Sequence, residues 1–149
     1  MAHSAGDGEG PHAGPDEDLR RLKADYDNYR RRVHRDRLAV REIAVSNVLG
    51  RLLPVLDAID RARVAGEVVD GFGAVADLLE TELGSLGLQS FGEPGDAFDP
   101  VLHLAVGYTR STVVTEPICI EVVRTGYRVG DQLLRPAEVV VAEPPPGPV

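Results

Sequence analysis

Residues 16–64 read DEDLRRLKADYDNYRRRVHRDRLAVREIAVSNVLGRLLPVLDAIDRARV, and this stretch decides the fold. It holds a single glycine, Gly50, and a single proline, Pro54, among good helix formers. Asp16, Glu17 and Asp18 open it, where negative charge suits the positive end of a helix dipole. Apolar residues then recur at Leu19, Leu22, Tyr26, Tyr29, Val33, Val40 and Ile43, with spacings of 3, 4, 3, 4, 7 and 3. That is a heptad seam with Asp36 interrupting one position. Unbroken, such a helix would run about 70 Å at ~1.5 Å per residue. A helix of that length cannot bury its stripe against a small core of its own, so the seam predicts pairing with a second copy. After Ile43 the stripe widens through Val45, Val48, Leu49, Leu52, Leu53, Leu56 and Ile59, the broader face of a bundle helix. Pro54 removes one backbone hydrogen bond and either kinks the helix or starts a new one.

Outward from this stretch the chain changes character. Residues 1–15 lack periodicity and read as a disordered tail, and residues 144–149, PPPGPV, as a proline-rich end. A connection at 65–71 leads to a second helical face at Val75, Leu78, Leu79, Leu83 and Leu86, with Gly87 as its stop. Residues 65–92 are therefore expected to form a second bundle helix, and two such helices per chain make a four-helix bundle in a dimer. From Phe98 onward the composition turns β-type, with ICIEVV at 118–123 and EVVVA at 138–142. Val129-Gly130-Asp131-Gln132 supplies a turn. The fold class is thus α+β: a long helix at 16–64 pairing as a dimeric coiled coil, a bundle at the dimer centre, and a small antiparallel β-domain of four to six strands at 93–143.

The composition narrows the function. A net charge of -8 argues against nonspecific nucleic-acid binding by the whole molecule. No apolar run approaches the roughly 20 residues that span a bilayer. The first 18 residues have neither the basic start nor the apolar stretch of a secretory signal. One cysteine, Cys119, excludes an intrachain disulfide and fits a cytoplasmic setting. From Arg20 to Arg41 nine Lys and Arg stand against three Asp, a local charge of +6. This face reads either as a basic helix for nucleic acid or as the solvated side of a coiled coil, and the missing base-reading pattern favours the latter. His3, His12, His34 and His103 share no metal-ligand spacing. His103 near Asp99 lacks a nucleophile and reads as structural. Neither GEGPHAG nor GFGAVA makes a phosphate loop. No catalysis, metal or cofactor is expected.

Several blocks, in order, carry a resemblance. They are N-Y-R-R-R at 28–32, L-L-P-V-L-D-A-I-D-R-A at 52–62, V-D-G at 69–71, F-D-P-x-x-H-x-A-V at 98–106, V-V-R-T-G-Y at 122–127 and L-R-P-A-x-V-x-V-A at 134–142. Together they resemble GrpE, the nucleotide exchange factor family of the bacterial DnaK chaperone, over residues 18–143. The resemblance implies a homodimer whose C-terminal β-wing opens the nucleotide-binding domain of DnaK so that ADP leaves. It implies partner contacts at Arg30, Phe98, Pro100, Val123, Gln132, Arg135 and Val141. It also gives structural roles to Gly71, where a side chain would obstruct bundle packing, and to Gly126. The family often carries Arg at the position of Gln132. Residue by residue, wing core is an equal reading for Phe98, Val123 and Val141. Leu19, Leu22, Tyr26, Tyr29, Val33, Val40, Ile43, Leu52, Leu56 and Ile59 are the expected dimer interface. A coiled-coil adaptor or nucleic-acid-binding protein using Arg30–Arg41 is the alternative.

Overall fold

The computed structural model describes residues 1 and 14–148; most of the N-terminal segment expected to be disordered, with His3 and His12, lies outside the described residues, as does Val149. Helix α1 runs Pro15–Val64, α2 runs Asp70–Ser85, and six strands follow. They are β1 (Leu88–Phe91), β2 (His103–Arg110), β3 (Ile118–Arg124), β4 (Gly126–Val129), β5 (Gln132–Arg135) and β6 (Ala137–Glu143).

Both ends of α1 follow from local chemistry. Pro15 takes the first turn, where a missing N–H costs nothing, and the carbonyl of Gly14 accepts from Glu17 N and Asp18 N. At the other end Gly66 adopts φ +75°. Its N–H donates to Arg63 O and that of Glu67 to Ala62 O, the paired bonds of a Schellman stop. Pro54 lies inside α1, which continues through it as one helix. The chain divides after Val40 into two units, with one part of α1 in each.

In the first part, the apolar side chains of Leu19, Leu22, Tyr26, Tyr29 and Val40 are exposed and Val33 is half-buried. In the second part, Leu49, Leu53, Leu56 and Ile59 form one core with Ala76 and Leu83 of α2 and Tyr127 and Val129 of β4. Two residues expected at the dimer interface belong to this core. Leu56 and Ile59 are 3% and 5% exposed within a single chain, so their surface is already covered by α2 and β4. Leu52 is half-buried against the same core.

The strands make two three-stranded sheets, β1-β4-β5 and β2-β6-β3. The first packs on the helices. The second has its own core of Cys119, Ala137, Val139 and Val141, flanked by Phe91, Phe98, Ala105 and Val122. Two details depart from the sequence reading. β1 begins at Leu88, well before Phe98, because four residues pair with β4 from Leu88↔Val129 to Phe91↔Gly126 and are too few to show a period. The β2–β6 ladder is parallel, since β6 inserts between β2 and β3, while the other three ladders are antiparallel.

Gly126 sits where these parts meet. A Cβ there would lie 2.5 Å from the Phe91 ring and 2.7 Å from Ala137 N, so only hydrogen fits. At the β4–β5 turn Gly130 adopts φ +55°. The neighbouring Asp131 N–H donates to Glu42 Oε1 at 3.2 Å, tying the hairpin tip to α1.

Candidate partner-binding surface

The outer sheet, β2-β6-β3, leaves an unusual set of side chains uncovered. Leu104, Val106 and Tyr108 of β2 are exposed, as are Ile120 and Val123 of β3, at 46–62% of their surface. Irregular pairing accounts for part of this. The register shifts between Ala105 and Gly107, between Cys119 and Glu121, and between Val122 and Arg124, so Val106, Ile120 and Val123 are the extra residues of bulges. A bulge re-aims its side chain and twists the strand. Soluble chains rarely leave many large apolar groups uncovered in one small sheet without a partner for them.

Of the residues expected to face a partner, the structure separates those at the surface from those inside. Val123 and Gln132 are exposed, as are Arg30 on α1 and Pro100 ahead of β2. Phe98 is half-buried and packs on the outer-sheet core. Val141 takes the wing-core reading: it is 0% exposed, opposite Cys119 and Tyr108 in the middle strand, within the outer-sheet core. Arg135 is also turned inward. Its Nη2 donates to Asp57 Oδ1 at 2.5 Å, its Nη1 to Asp57 Oδ2 at 2.7 Å and its Nε to the Thr125 carbonyl at 2.8 Å. The guanidinium also lies 5.3 Å from the centre of the Tyr127 ring.

That ion pair dominates the local electrostatics. The hydrogen bonds from Arg135 hold the Asp57 carboxyl below its ordinary value of 3.8, against an opposing push from burial. The same bonds raise the Arg135 guanidinium. Burial, with the Asp60 carboxylate nearby, pushes the Tyr127 hydroxyl up to about 12. Arg124 adds a longer contact of 3.4 Å to Asp57 Oδ2 and one of 3.8 Å to Glu138, with its side chain half exposed. Asp57, Arg124 and Glu42 were not singled out by sequence. The one local hint was a carboxylate at position 57, next to Leu56 on a stripe that is otherwise apolar.

His103 is buried beside Phe98, with ring centres 6.0 Å apart and nearly parallel, and edge-on to Phe91 at 6.5 Å. Its Nδ1 accepts from the Asp99 N–H at 2.9 Å, which closes the turn leading into β2. Gly71 lies at the start of α2, and a Cβ there would meet nothing within 4 Å of the same chain. The expected obstruction therefore has no source inside one chain. Burial pushes the Cys119 thiol up, as befits a small core residue. Among the described residues no group of three or more His, Cys, Asp or Glu could hold a metal ion. Among them, too, no helix is long and apolar enough to cross a membrane.

Known proteins are similar to the chain in sequence. A relative named Protein GrpE in Streptomyces coelicolor is 55% identical over 130 residues, covering 87% of this chain and 58% of the relative. Protein GrpE of Mycolicibacterium paratuberculosis is 46% identical over 127 residues, covering 85% and 55%. Protein GrpE of Mycobacterium tuberculosis is 43% identical over 128 residues, covering 85% and 54%. The chain thus spans between half and two thirds of the length of these relatives. The family model described as GrpE matches residues 14–143, the whole of the helices and both sheets, and the chain belongs to the GrpE family.

Proposed function

We propose that the chain is a cochaperone that works as a homodimer and speeds ADP release from a DnaK-type chaperone. In this reading the outer sheet engages the nucleotide-binding domain of the chaperone and favours its open conformer. Family membership supports the partner class, and the observation that carries the mode of action is the exposed apolar set Leu104, Val106, Tyr108, Ile120 and Val123. The protein makes and breaks no bond. It need only bind the open conformer more tightly than the closed one. Moving a 1:99 equilibrium to 99:1 takes about 5.5 kcal/mol of differential affinity, within reach of a handful of desolvated apolar contacts.

Dimerisation is supported by Leu19, Leu22, Tyr26, Tyr29, Val40 and Ile43, each between 49% and 66% exposed in one chain at heptad-like spacing. Gly71, open within one chain, takes its proposed packing role from a second copy. The basic face at Arg30–Arg41 is then the solvated flank of the paired helices, with Arg30 available to the partner. The proposed setting is the cytoplasm. Stopped-flow release of a fluorescent ADP analogue from a DnaK-type chaperone tests the reading. Acceleration that saturates with added protein, and that Val123→Asp weakens, is the expected result. Release that stays at its spontaneous rate at every concentration rejects it.

A further inference from the structure

The two sheets are joined almost entirely at one place. β3 passes to β4 through Thr125 alone, and β5 passes to β6 through Pro136 alone. Both crossovers run from one sheet to the other, so the outer sheet is carried on two single-residue connections and the 92–102 stretch. The cores on either side are separate: Tyr127 and Val129 belong to the helical core, Cys119, Ala137, Val139 and Val141 to the outer one.

One carboxylate from α1 grips both crossovers. Arg135, the last residue of β5, gives two nitrogens to the two oxygens of Asp57. Arg124, the last residue of β3, reaches Asp57 Oδ2 as well. The third donor of Arg135 holds the carbonyl of Thr125, the linking residue itself. The Asp57 and Arg135 side chains are 15% and 12% exposed, so water and salt screen this pair far less than a surface pair. A forked guanidinium on a carboxylate fixes direction as well as distance.

We propose that Asp57 is a positioning residue for partner engagement: by clasping both crossovers it sets the attitude at which the sheet β2-β6-β3 is presented. The role rests on the exchange reading above. Loosening the clasp leaves the outer sheet folded on its own core, but it then meets the partner in many orientations, few of them productive. The maximal exchange rate suffers from this more than stability does.

Asp57→Asn keeps the shape and one acceptor but removes the charge. The full chain carrying it is compared with the parent in two assays. Hydrogen exchange should speed up more across residues 124–137 than around Leu49 and Leu53. The maximal ADP release rate at saturating protein should fall roughly three- to tenfold, the range reached by indirect positioning changes. Arg135→Lys should fall between parent and Asp57→Asn, because an ammonium cannot hold both oxygens. It carries the same test where Asp57→Asn melts below the assay temperature. A merely structural role would lower Tm and speed exchange through the whole core, Leu49 and Leu53 included, while the maximal release rate below Tm stays at its parent value. Unchanged exchange across 124–137, or faster exchange there with an unchanged maximal rate, overturns the proposal. An inert parent is a different result: it sinks the exchange reading itself, and this role with it.

Discussion

The two parts of α1 are written in similar residues and meet opposite fates. Up to Val40 the helix carries leucines and tyrosines at heptad spacing, and no residue of that part is buried within one chain. From Arg41 the same periodicity brings Ser46, Leu49, Leu53, Leu56 and Ile59 under α2 and β4. Helix propensity explains why both parts are helical. Burial explains why only one is stable without help, since most helical stability in proteins comes from packing an apolar face. The first part thus leaves its apolar seam uncovered within one chain, and the second part is half of a core already made.

The sharpest way to break this contrast is to truncate one leucine in each part. Leu49 is 1% exposed, and Leu49→Ala should cost about 2–5 kcal/mol through lost transfer energy and the cavity left behind. Leu22 is 66% exposed, and Leu22→Ala should leave the denaturant midpoint of dilute, dissociated protein unchanged. It should instead weaken self-association, seen as a shift of the sedimentation isotherm to higher concentration. Equal losses of stability for both variants in dilute protein would erase the distinction between the two parts.

The same physics explains what could be read in the sequence. The seam at Leu19–Ile43 is a long-range period and was visible, as was the stop at Gly87. The faces of β6 were not. Its Val139-Val140-Val141 run shows no alternation, because the strand lies in the middle of a sheet, so nothing in the sequence said that Val141 points inward. The same holds for the parallel β2–β6 ladder, which depends on β6 inserting between two strands that come earlier in the chain. The clasp was the least legible feature. Asp57 and Arg135 lie 78 residues apart, and a charged pair that distant leaves no local pattern. Leu56 and Ile59 sat on the right stripe, but periodicity alone cannot tell whether a face meets its own chain or a copy.

The clasp gives the second part of α1 a pH dependence. The Asp57 carboxyl titrates below its ordinary value in the folded chain, first because Arg135 hydrogen-bonds it and despite the opposing effect of burial. The folded state therefore prefers the ionised form. Its stabilisation is fully present above the unfolded value of 3.8 and is lost as pH falls through the lower folded value. Asp57→Asn should be less stable than the parent by about 1.5–3 kcal/mol at neutral pH, the range for a hydrogen bond to a charged group. Urea midpoints at about pH 7, 5 and 3 should show a gap that holds between the first two and narrows at the third. A gap that widens on acidification would reverse the sign and remove the ion pair as its cause.

The smallest effect concerns the one polar side chain buried in the core-forming part of α1. Ser46 is 7% exposed, and among the described residues its Oγ is the buried side-chain oxygen with no hydrogen-bond partner. Leaving such a hydroxyl unpaired costs about 1–3 kcal/mol relative to pairing it, and alanine is the better helix former. Ser46→Ala should therefore raise stability by about 1 kcal/mol, a Tm gain of roughly 2–6 °C for a domain of this size. The direction of the change also locates the boundary between the two parts of α1. A gain in Tm with self-association intact means Ser46 belongs wholly to the core of its own chain. A loss of self-association would mean that a second copy supplies the missing partner, and that the self-associating seam runs past Ile43 to Ser46.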